Sequence, residues 1–363
     1  MASEAAQINP LLEGLARRIH TAGPISVADY MAEVGAFYYA ARDPFGAAGD
    51  FITAPEVSQI FGELVGAWCA DYWQCLGAPD PVLLVELGPG RGTMMVDTLR
   101  ATRHVPGFAK AVRLHLVERS PVLRRMQQEK LAAFAPVFHD DVVTLPHGPM
   151  LLIANEFLDA LPIRQFERSG GTWHERRIAL ARDGESLTLN LDPQPSLFAA
   201  QLPEAKDGAI AELCPAATSL GKALGIQIAG QGGAALFIDY GYLKSEFGDT
   251  LQAIHRHRPH AVLDEPGSAD LTAHVDFAAF VRAAESGGAQ AYGPLTQREF
   301  LSRLGIEARK AKLLERATPE QARTIETGCR RLVDPAEMGT LFKVLALGQK
   351  GSPAPAGFAE AKP

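Results

Sequence analysis

Cysteine is scarce in this chain, and its spacing excludes the two common structural uses of the residue. The four cysteines, Cys69, Cys75, Cys214 and Cys329, form no C-x-x-C pair. A zinc knuckle or the disulfide framework of a small secreted domain needs close, regular spacing. We therefore expect reduced thiols and no metal site. The histidines within 255–260 alternate with arginines, which favours a solvated basic loop over a metal site.

The sequence also lacks an excess of positive charge and any long hydrophobic run. Its formal net charge is −7, whereas a general nucleic-acid binder needs a basic face. The longest apolar runs, such as PVLLVEL and PMLLIA, fall far short of the ~20 residues that span a bilayer. The first ten residues, MASEAAQINP, contain no apolar signal region and no arginine-rich presequence. We therefore expect a cytoplasmic protein that binds neither nucleic acid nor membrane.

What remains is the pattern of an α/β protein. With 47% hydrophobic residues in 363 positions, the chain can bury a large core. From residue 81, buried strands alternate with helices, which predicts a Rossmann-like, doubly wound and mostly parallel sheet. Turn signals at 169–171 and 183–184 predict an inserted β-meander. The expected divisions are an N-terminal helical cap and lid (1–80), the first part of the core (81–163), the inserted meander and helices (164–230), the second part of the core with a helical insertion (231–350) and a disordered tail (351–363).

Capping signals predict where several helices begin. Thr53 and Glu56 match the S/T-x-x-E box ahead of one long amphipathic helix, and Thr296 and Glu299 match the same box later in the chain. Ser120, followed by a proline, predicts another helix start. The glycine- and proline-containing stretch that precedes Thr53 reads as a loop from residue 37, and residues 205–228 read as mostly helical.

A glycine loop follows the first predicted core strand. In VELGPGRGT, Gly88, Gly90 and Gly92 stand at alternate positions, and Glu86 lies two residues before the first of them. A nucleoside triphosphate loop would continue with lysine, and a dinucleotide loop would read G-x-G-x-x-G. The remaining match, E-x-G-x-G-x-G, resembles motif I of class I S-adenosylmethionine (SAM) methyltransferases. An ordinary tight turn between strand and helix is the alternative reading of this loop alone.

Acidic residues also follow the next two predicted strands. Glu118 ends the second strand, where a carboxylate can accept hydrogen bonds from ribose hydroxyls, and Asp140 and Asp141 end the third, where adenine would lie. Each acid alone could be a helix cap or a solvated charge, but three at consecutive strand ends favour adenosine. The cofactor-binding residues expected on the core are Glu86, Gly88, Pro89, Gly90, Gly92, Glu118, Arg119, Ser120, Asp140, Asp141 and Asn155.

By these motifs the chain resembles the MidA-like family of SAM-dependent methyltransferases. The mitochondrial members of that family resemble protein-arginine methyltransferases that support assembly of respiratory complex I. The resemblance therefore implies SAM as cofactor and a protein substrate, with a complex I subunit as candidate. It also implies that Gly49, Asp50, Phe51 and Thr53 fold over the cofactor as a lid. The matching stretches are 49–63, 85–93, 117–127, 154–162, 237–241, 267–277, 293–306 and 338–348.

The end of the fourth predicted core strand, ANEFLDALP, carries the candidate catalytic residues. In open α/β sheets the ligand crevice lies outside the carboxyl ends of the strands, so this segment should face the transferred methyl group. Glu156 and Asp159 could grip a guanidinium, which is always charged and presents a planar fork of donors. Asn155 would orient the group by a hydrogen bond. Asp159 could instead cap the turn that follows.

Other functions remain open on the sequence alone. The predicted site specifies the cofactor rather than the acceptor, so a small-molecule SAM methyltransferase is one alternative. A non-catalytic SAM-binding assembly factor is another, although the complete glycine loop and the acidic strand end disfavour it. A nicotinamide enzyme is disfavoured by the glycine spacing and by the lack of a Tyr-x-x-x-Lys arrangement. An oligomer is compatible with the sequence.

Overall fold

The structure is a computed structural model that describes residues 9–41 and 53–358. Its strands form a central sheet, a meander sheet and a small three-stranded sheet. The strands are β1 (Ile25–Ser26), β2 (Val82–Leu87), β3 (Val112–Val117), β4 (Val137–His139), β5 (Met150–Asn155), β6 (Arg164–Ser169), β7 (Thr172–Leu180), β8 (Leu187–Pro195), β9 (Ile210–Leu213), β10 (Gly233–Tyr242), β11 (Gln252–His255), β12 (Arg258–His260), β13 (Asp270–Thr272), β14 (Val275–Asp276), β15 (Ala289–Thr296) and β16 (Phe342–Gln349).

Helices connect these strands and cover both faces of the central sheet. Within the part of the chain that is described, no helix is long and apolar enough to cross a bilayer. The helices are α1 (Pro10–Ala22), α2 (Val27–Ala41), α3 (Ala54–Val57), α4 (Gln59–Cys75), α5 (Thr93–Thr102), α6 (Phe108–Ala111), α7 (Pro121–Leu131), α8 (Pro215–Gln231), α9 (Phe277–Ser286), α10 (Gln297–Arg303), α11 (Ile306–Leu314), α12 (Pro319–Val333) and α13 (Met338–Leu341).

The central sheet has the strand order β15-β16-β10-β5-β2-β3-β4. Strands β10, β5, β2, β3 and β4 are parallel, whereas β16 runs antiparallel to both of its neighbours. This arrangement confirms the Rossmann-like fold expected from the sequence. The chain winds outward from β2 to β4 and then returns to place β5 on the other side of β2. The crevice between β2 and β5 is therefore the switch point where such sheets bind ligands.

Alternating side chains of the inner strands pack into two separate cores. Leu84 and Leu151 face α4 and α5, whereas Leu83 and Leu152 face α8 and α9. Every residue of β2 and β5 is buried, because helices cover both faces of a parallel sheet. The strands that carry the crevice are thus held rigidly on both sides.

The meander appears as predicted and is larger than the sequence indicated. β6, β7 and β8 pair antiparallel, and β1 and β9 extend the sheet at β7 and β6. The helical reading of residues 205–228 is wrong in part, because β9 precedes helix α8. The sheet of β11, β12 and β13 was not predicted either. Its strands are three or four residues long, too short for a period of two to stand out.

The N-terminal region differs from the expectation at several points. Helix α2 continues to Ala41, so the loop predicted from residue 37 is wrong over its first residues. The long helix predicted from Thr53 breaks at Ser58 into α3 and α4. Thr53 makes no side-chain capping hydrogen bond, and Glu56 instead accepts one from the Thr93 hydroxyl at 2.6 Å. The capping box predicted at 53–56 is therefore wrong.

The box predicted later in the chain is present. Thr296 accepts a hydrogen bond from the backbone of Glu299, whose carboxylate bonds back to the Thr296 backbone. Residues 351–358, expected to be disordered, follow β16, and Phe358 packs against Phe300 with ring centroids 5.4 Å apart. Residues 359–363 lie outside the described part of the chain. The divisions of the chain proposed from the sequence stay a prediction.

Candidate active site

The glycine loop after β2 has a backbone that only glycine adopts easily. Gly88, Gly90 and Gly92 have φ angles of +59°, +55° and +75°, in the left-handed region that penalises a Cβ atom. A Cβ on Gly88 would also lie 3.0 Å from the Phe157 ring. Inside the loop, the Gly92 N–H donates to the Pro89 carbonyl at 2.8 Å. The three glycines thus let the backbone turn tightly at the carboxyl end of β2.

Glu86, on β2 itself, has a buried carboxylate with an unsatisfied acceptor oxygen. It is 2% exposed, and its Oε2 atom has no hydrogen-bond partner among the described residues. Burial, and then the nearby Glu118, raise its pKa well above the usual range. Buried polar atoms without partners are rare in native proteins and call for an explanation. A cationic ligand group beside the glycine loop would supply the missing partner.

Glu118, at the end of β3, is buried and held in one orientation. Its Oε1 atom accepts from the Ser120 backbone at 2.8 Å, and Gln127 donates to its Oε2 at 3.3 Å and to the Gly90 carbonyl at 2.7 Å. Burial raises the Glu118 pKa. The Ser120 hydroxyl caps α7, as predicted. The sequence reasoning missed Gln127. Its signal is a polar residue four positions after Leu123 on the buried face of α7.

The other acids expected near adenine lie at the surface and are engaged with cations. Arg119 donates to the Asp140 carbonyl at 2.9 Å and to the Asp141 carboxylate at 3.2 Å, and Arg124 pairs with the Asp140 carboxylate at 2.7 Å. Asp141 also caps a short 3-10 turn through the Val143 N–H. Asp140 and Asp141 lie at the same sheet edge as Glu118. Their contacts are those of a solvated charge and a helix cap, which is the alternative stated for each acid in the sequence analysis. Their role toward a cofactor stays a prediction.

The glycine loop forms one wall of a cleft. Pro89 and Thr53 both line this cleft, as do Asn155 and Glu156 at the end of β5. The Asn155 amide donates to Glu156 at 3.2 Å, while its carbonyl oxygen is buried and has no partner within the described ranges. Gly49, Asp50 and Phe51, the other residues of the predicted lid, lie outside the described residues.

A buried carboxylate from β10 fixes the loop that follows β5. One oxygen of Asp239 accepts from the backbone N–H groups of Phe157, Leu158 and Asp159 at 3.1, 2.9 and 3.2 Å. Its other oxygen accepts from the Tyr240 N–H at 3.0 Å. Burial and the two neighbouring carboxylates raise the Asp239 pKa, whereas these four donors stabilise its ionised form. Asp239 therefore fixes the backbone of the loop that carries the candidate catalytic residues.

Glu156 has a left-handed backbone conformation and a raised pKa. Its φ angle is +51°, a strained value for a residue with a Cβ and one found most often at functional sites. The Glu156 carboxylate accepts from the Ala54 N–H at 3.3 Å. Burial, followed by the charge of Asp159, raises its pKa to about 8.

Asp159 lies beside Glu156 and is also buried. Burial raises its pKa to about 6, against a hydrogen bond from Tyr240 that lowers it. One oxygen, Oδ1, is buried without a partner in the described structure. Besides burial, the charge of Asp159 raises the Glu156 pKa and the charge of Arg331 lowers it, so the two carboxylates repel each other when both are ionised. The pair is therefore suited to bind a cation that carries several N–H donors.

Both carboxylates also line a second cavity, of about 290 Å³. It shares Thr53 and Glu156 with the glycine-loop cleft, so the two spaces meet there. Its volume lies at the lower end of the range for small-molecule sites. Sequence reasoning missed most of its walls, because they come from segments far apart in the chain. The residues it did not assign are Tyr39, Gln252, Ile254, Asp270, Thr272, His274, Leu341 and Phe342.

The cleft fits SAM in its donor set. A buried carboxylate such as that of Glu86 would suit the ammonium of the methionine part, that of Glu118 would suit ribose hydroxyls, and the glycines permit close backbone approach. Among the residues that the structure describes, no group of three or more His, Cys, Asp or Glu is placed to hold a metal ion. Fold and cleft together define a class I SAM-dependent methyltransferase.

Comparison with known proteins identifies the family. A model described as "Putative S-adenosyl-L-methionine-dependent methyltransferase" matches residues 64–295, and the chain belongs to that family. A crystal structure of a COG1565 superfamily member from Burkholderia thailandensis, described as a likely methyl transferase bound to S-adenosyl-homocysteine, superposes with a TM-score of 0.82. Its sequence is 28% identical, and the match covers 96% of this chain and 94% of that one. SAM is accordingly the cofactor.

Curated relatives extend the comparison. The Drosophila melanogaster protein named "Protein arginine methyltransferase NDUFAF7 homolog, mitochondrial" is 38% identical over 93% of this chain and 84% of its own length. The human protein arginine methyltransferase NDUFAF7, mitochondrial, is 36% identical over 94% and 83%. These names contradict the expectation of a cytoplasmic protein, because the relatives are mitochondrial. The expectation, which rested on the lack of an apolar or arginine-rich segment in the first ten residues, is therefore wrong.

Proposed function

We propose that this SAM-dependent methyltransferase transfers the methyl group to an arginine side chain of a protein. One observation carries the proposal: the acidic cavity and the glycine-loop cleft meet at Glu156. A methyl donor on one side and a cationic acceptor on the other would then share a boundary. The curated relatives, named protein arginine methyltransferases, support the same acceptor class.

On the donor side, we assign roles by position. Bound SAM supplies a methyl group on a positively charged sulfur. Glu86 binds its ammonium group and Glu118 its ribose, while the backbone of the glycine loop, with Pro89, packs against the nucleoside. Thr53 lines the same cleft. We assign Arg119, Ser120, Asp140 and Asp141 to the adenine end from their position at the ends of β3 and β4, and the lid role of Gly49, Asp50 and Phe51 stays a prediction from the sequence.

On the acceptor side, Glu156 and Asp159 bind and orient the guanidinium. Two carboxylates offset its charge and fix its plane, which aligns one nitrogen with the methyl group. Asn155 orients Glu156 through the bond between their side chains. An alkylated nitrogen loses a proton, and a carboxylate within hydrogen-bonding distance of that nitrogen can accept it.

We further propose, on the family resemblance, that the acceptor protein is a subunit of respiratory complex I. Methylation of a whole-cell extract tests both levels of the proposal. Extract from cells that lack this protein is incubated with the purified chain and methyl-labelled SAM. If the acceptor is a protein arginine, acid hydrolysis should release the label as methylarginine. If the acceptor protein is a complex I subunit, the labelled methylarginine should be found in isolated complex I.

Glu156→Gln provides the matched control. It keeps the size of the side chain and one acceptor oxygen but replaces the other oxygen with a donor and loses the charge, so we expect transfer to fall at least ~100-fold. Cofactor affinity, measured by calorimetry, should stay within a few-fold. Label found only in methyllysine or in small molecules would refute an arginine acceptor. Wild-type transfer rates in Glu156→Gln would remove Glu156 from the chemistry.

A further inference from the structure

The acceptor cavity has a second wall, built by the small sheet rather than by the core. Asp270 and Thr272 alternate along β13, and Gln252 and Ile254 alternate along the neighbouring β11. All four line the cavity, because alternate residues of a strand point to one face. The residues between them, Ala253 and Leu271, are buried in a different hydrophobic core. One face of this sheet therefore closes the cavity.

A backbone hydrogen bond connects this wall to the core. The Ala273 N–H donates to the Asp159 carbonyl at 2.9 Å, so the end of β13 lies beside the strand-end loop that carries the candidate catalytic acids. Asp270 precedes Thr272 by two residues, which places it roughly 7 Å farther along the strand. The Gln252 amide bonds to both Thr272 and the Tyr240 hydroxyl, at 3.3 and 3.4 Å. The two walls are thus joined at one end of the cavity and carry acids on both sides.

Asp270 is itself held in place by an aromatic hydroxyl. Tyr39 of α2 donates to its Oδ2 atom at 2.8 Å, and both residues line the cavity. Asp270 is 6% exposed. Burial and the charges of Asp270 and Asp159 raise the Tyr39 pKa well above its usual value, so the hydroxyl remains a donor. On the core wall, the buried Oδ1 of Asp159 has no partner among the described residues.

We infer that Asp270, positioned by Tyr39, is a second anionic anchor that makes the cavity selective for a planar, multi-donor cation. The inference rests on the proposed function and identifies its specificity-determining group. A guanidinium presents donors in several directions of one plane, so it can contact Glu156 and Asp159 on one wall and Asp270 on the other. An ammonium is a compact point charge and gains less from two separated acids. Asp270 thereby favours arginine over lysine.

Binding of small cations tests this assignment without a known protein substrate. The purified chain, saturated with S-adenosylhomocysteine, is titrated with ethylguanidinium and with ethylammonium, and dissociation constants are measured by NMR. We expect the wild type to prefer ethylguanidinium. Asp270→Asn should weaken ethylguanidinium binding about tenfold or more and reduce that preference, because a charged hydrogen-bond partner is lost. Tyr39→Phe keeps the charge of Asp270 but removes a hydrogen-bond donor that orients its carboxylate, so a two- to fivefold loss is expected.

Controls separate the possible outcomes. Asp264→Asn removes the same charge at an exposed site six residues away and should leave both affinities unchanged, and S-adenosylhomocysteine affinity should be unchanged in every variant. If Asp270→Asn and Tyr39→Phe bind ethylguanidinium like the wild type, the second anchor is refuted while the arginine acceptor stands. If the wild type neither binds ethylguanidinium nor forms methylarginine in the extract, the proposed function fails and the inference fails with it.

Discussion

The two halves of the site are assembled in opposite ways. The donor half comes mainly from one short stretch of sequence, in which Glu86 and three left-handed glycines follow each other within seven residues. The acceptor half combines Tyr39 of α2, Glu156 and Asp159 after β5, Tyr240 of β10 and Asp270 of β13. The first is specified by backbone conformation and the second by where distant carboxylates meet. The two halves should therefore fail differently when they are mutated.

The largest effect is expected where the donor half depends on glycine. Gly88→Val places a β-branched side chain at a φ angle of +59°, 3.0 Å from the Phe157 ring. The strain and the clash together should weaken SAM binding at least ~100-fold, measured by calorimetry. Gly14→Ala, in α1 with no atom within 4 Å of the added Cβ, is the control and should bind normally. Normal binding by Gly88→Val would mean that the loop conformation does not hold the cofactor.

This difference also explains what the sequence could predict. Glu86 and the glycines were found because their spacing is local, and the parallel strand order then placed Glu118 and Glu156 on the same edge. Tyr39 and Asp270 are separated by 231 positions, and no periodicity links them. The Thr53 capping box failed for a related reason, because the distant Thr93 engages Glu56. Local patterns gave the strands and the loop, whereas the cavity required tertiary contacts.

The acceptor half should respond to pH through Glu156. The folded-state pKa of Glu156 is raised to about 8, so its neutral form stabilises the cofactor-free protein at pH values below its ordinary pKa. That contribution is lost as pH rises through about 8. We expect the wild type to lose about 4 kcal/mol of stability relative to Glu156→Gln between pH 5 and pH 9, because the pKa rises from 4.5 to about 8 on folding. Denaturant unfolding at both pH values measures the difference.

A control keeps this pH effect specific to the buried acid. Glu204→Gln removes an exposed carboxylate and should leave the wild-type pH dependence in place. Guanidinium binding should depend on pH in the opposite direction to stability. A cation favours the ionised carboxylate, so the affinity of the protein for guanidinium should rise with pH over the same range. Parallel stability curves for the wild type and Glu156→Gln would show that Glu156 does not titrate in this way.

The smallest effect is expected at the surface end of the donor half. Asp141 is paired with Arg119 and caps a short turn, and exposed ion pairs contribute little to stability or binding. Asp141→Asn should therefore change SAM affinity about threefold or less, measured by calorimetry alongside Gly88→Val. A loss approaching that of Gly88→Val would show that the adenine end, rather than the glycine loop, dominates cofactor binding.

The central claim is that donor and acceptor meet at Glu156, and a crystal structure of the protein with S-adenosylhomocysteine and ethylguanidinium tests it most directly. The account predicts S-adenosylhomocysteine against Gly88 and Glu86, and the guanidinium within hydrogen-bonding distance of both Glu156 and Asp159. A guanidinium bound elsewhere while the cavity stays open, or a cofactor seated away from the glycine loop, would contradict it.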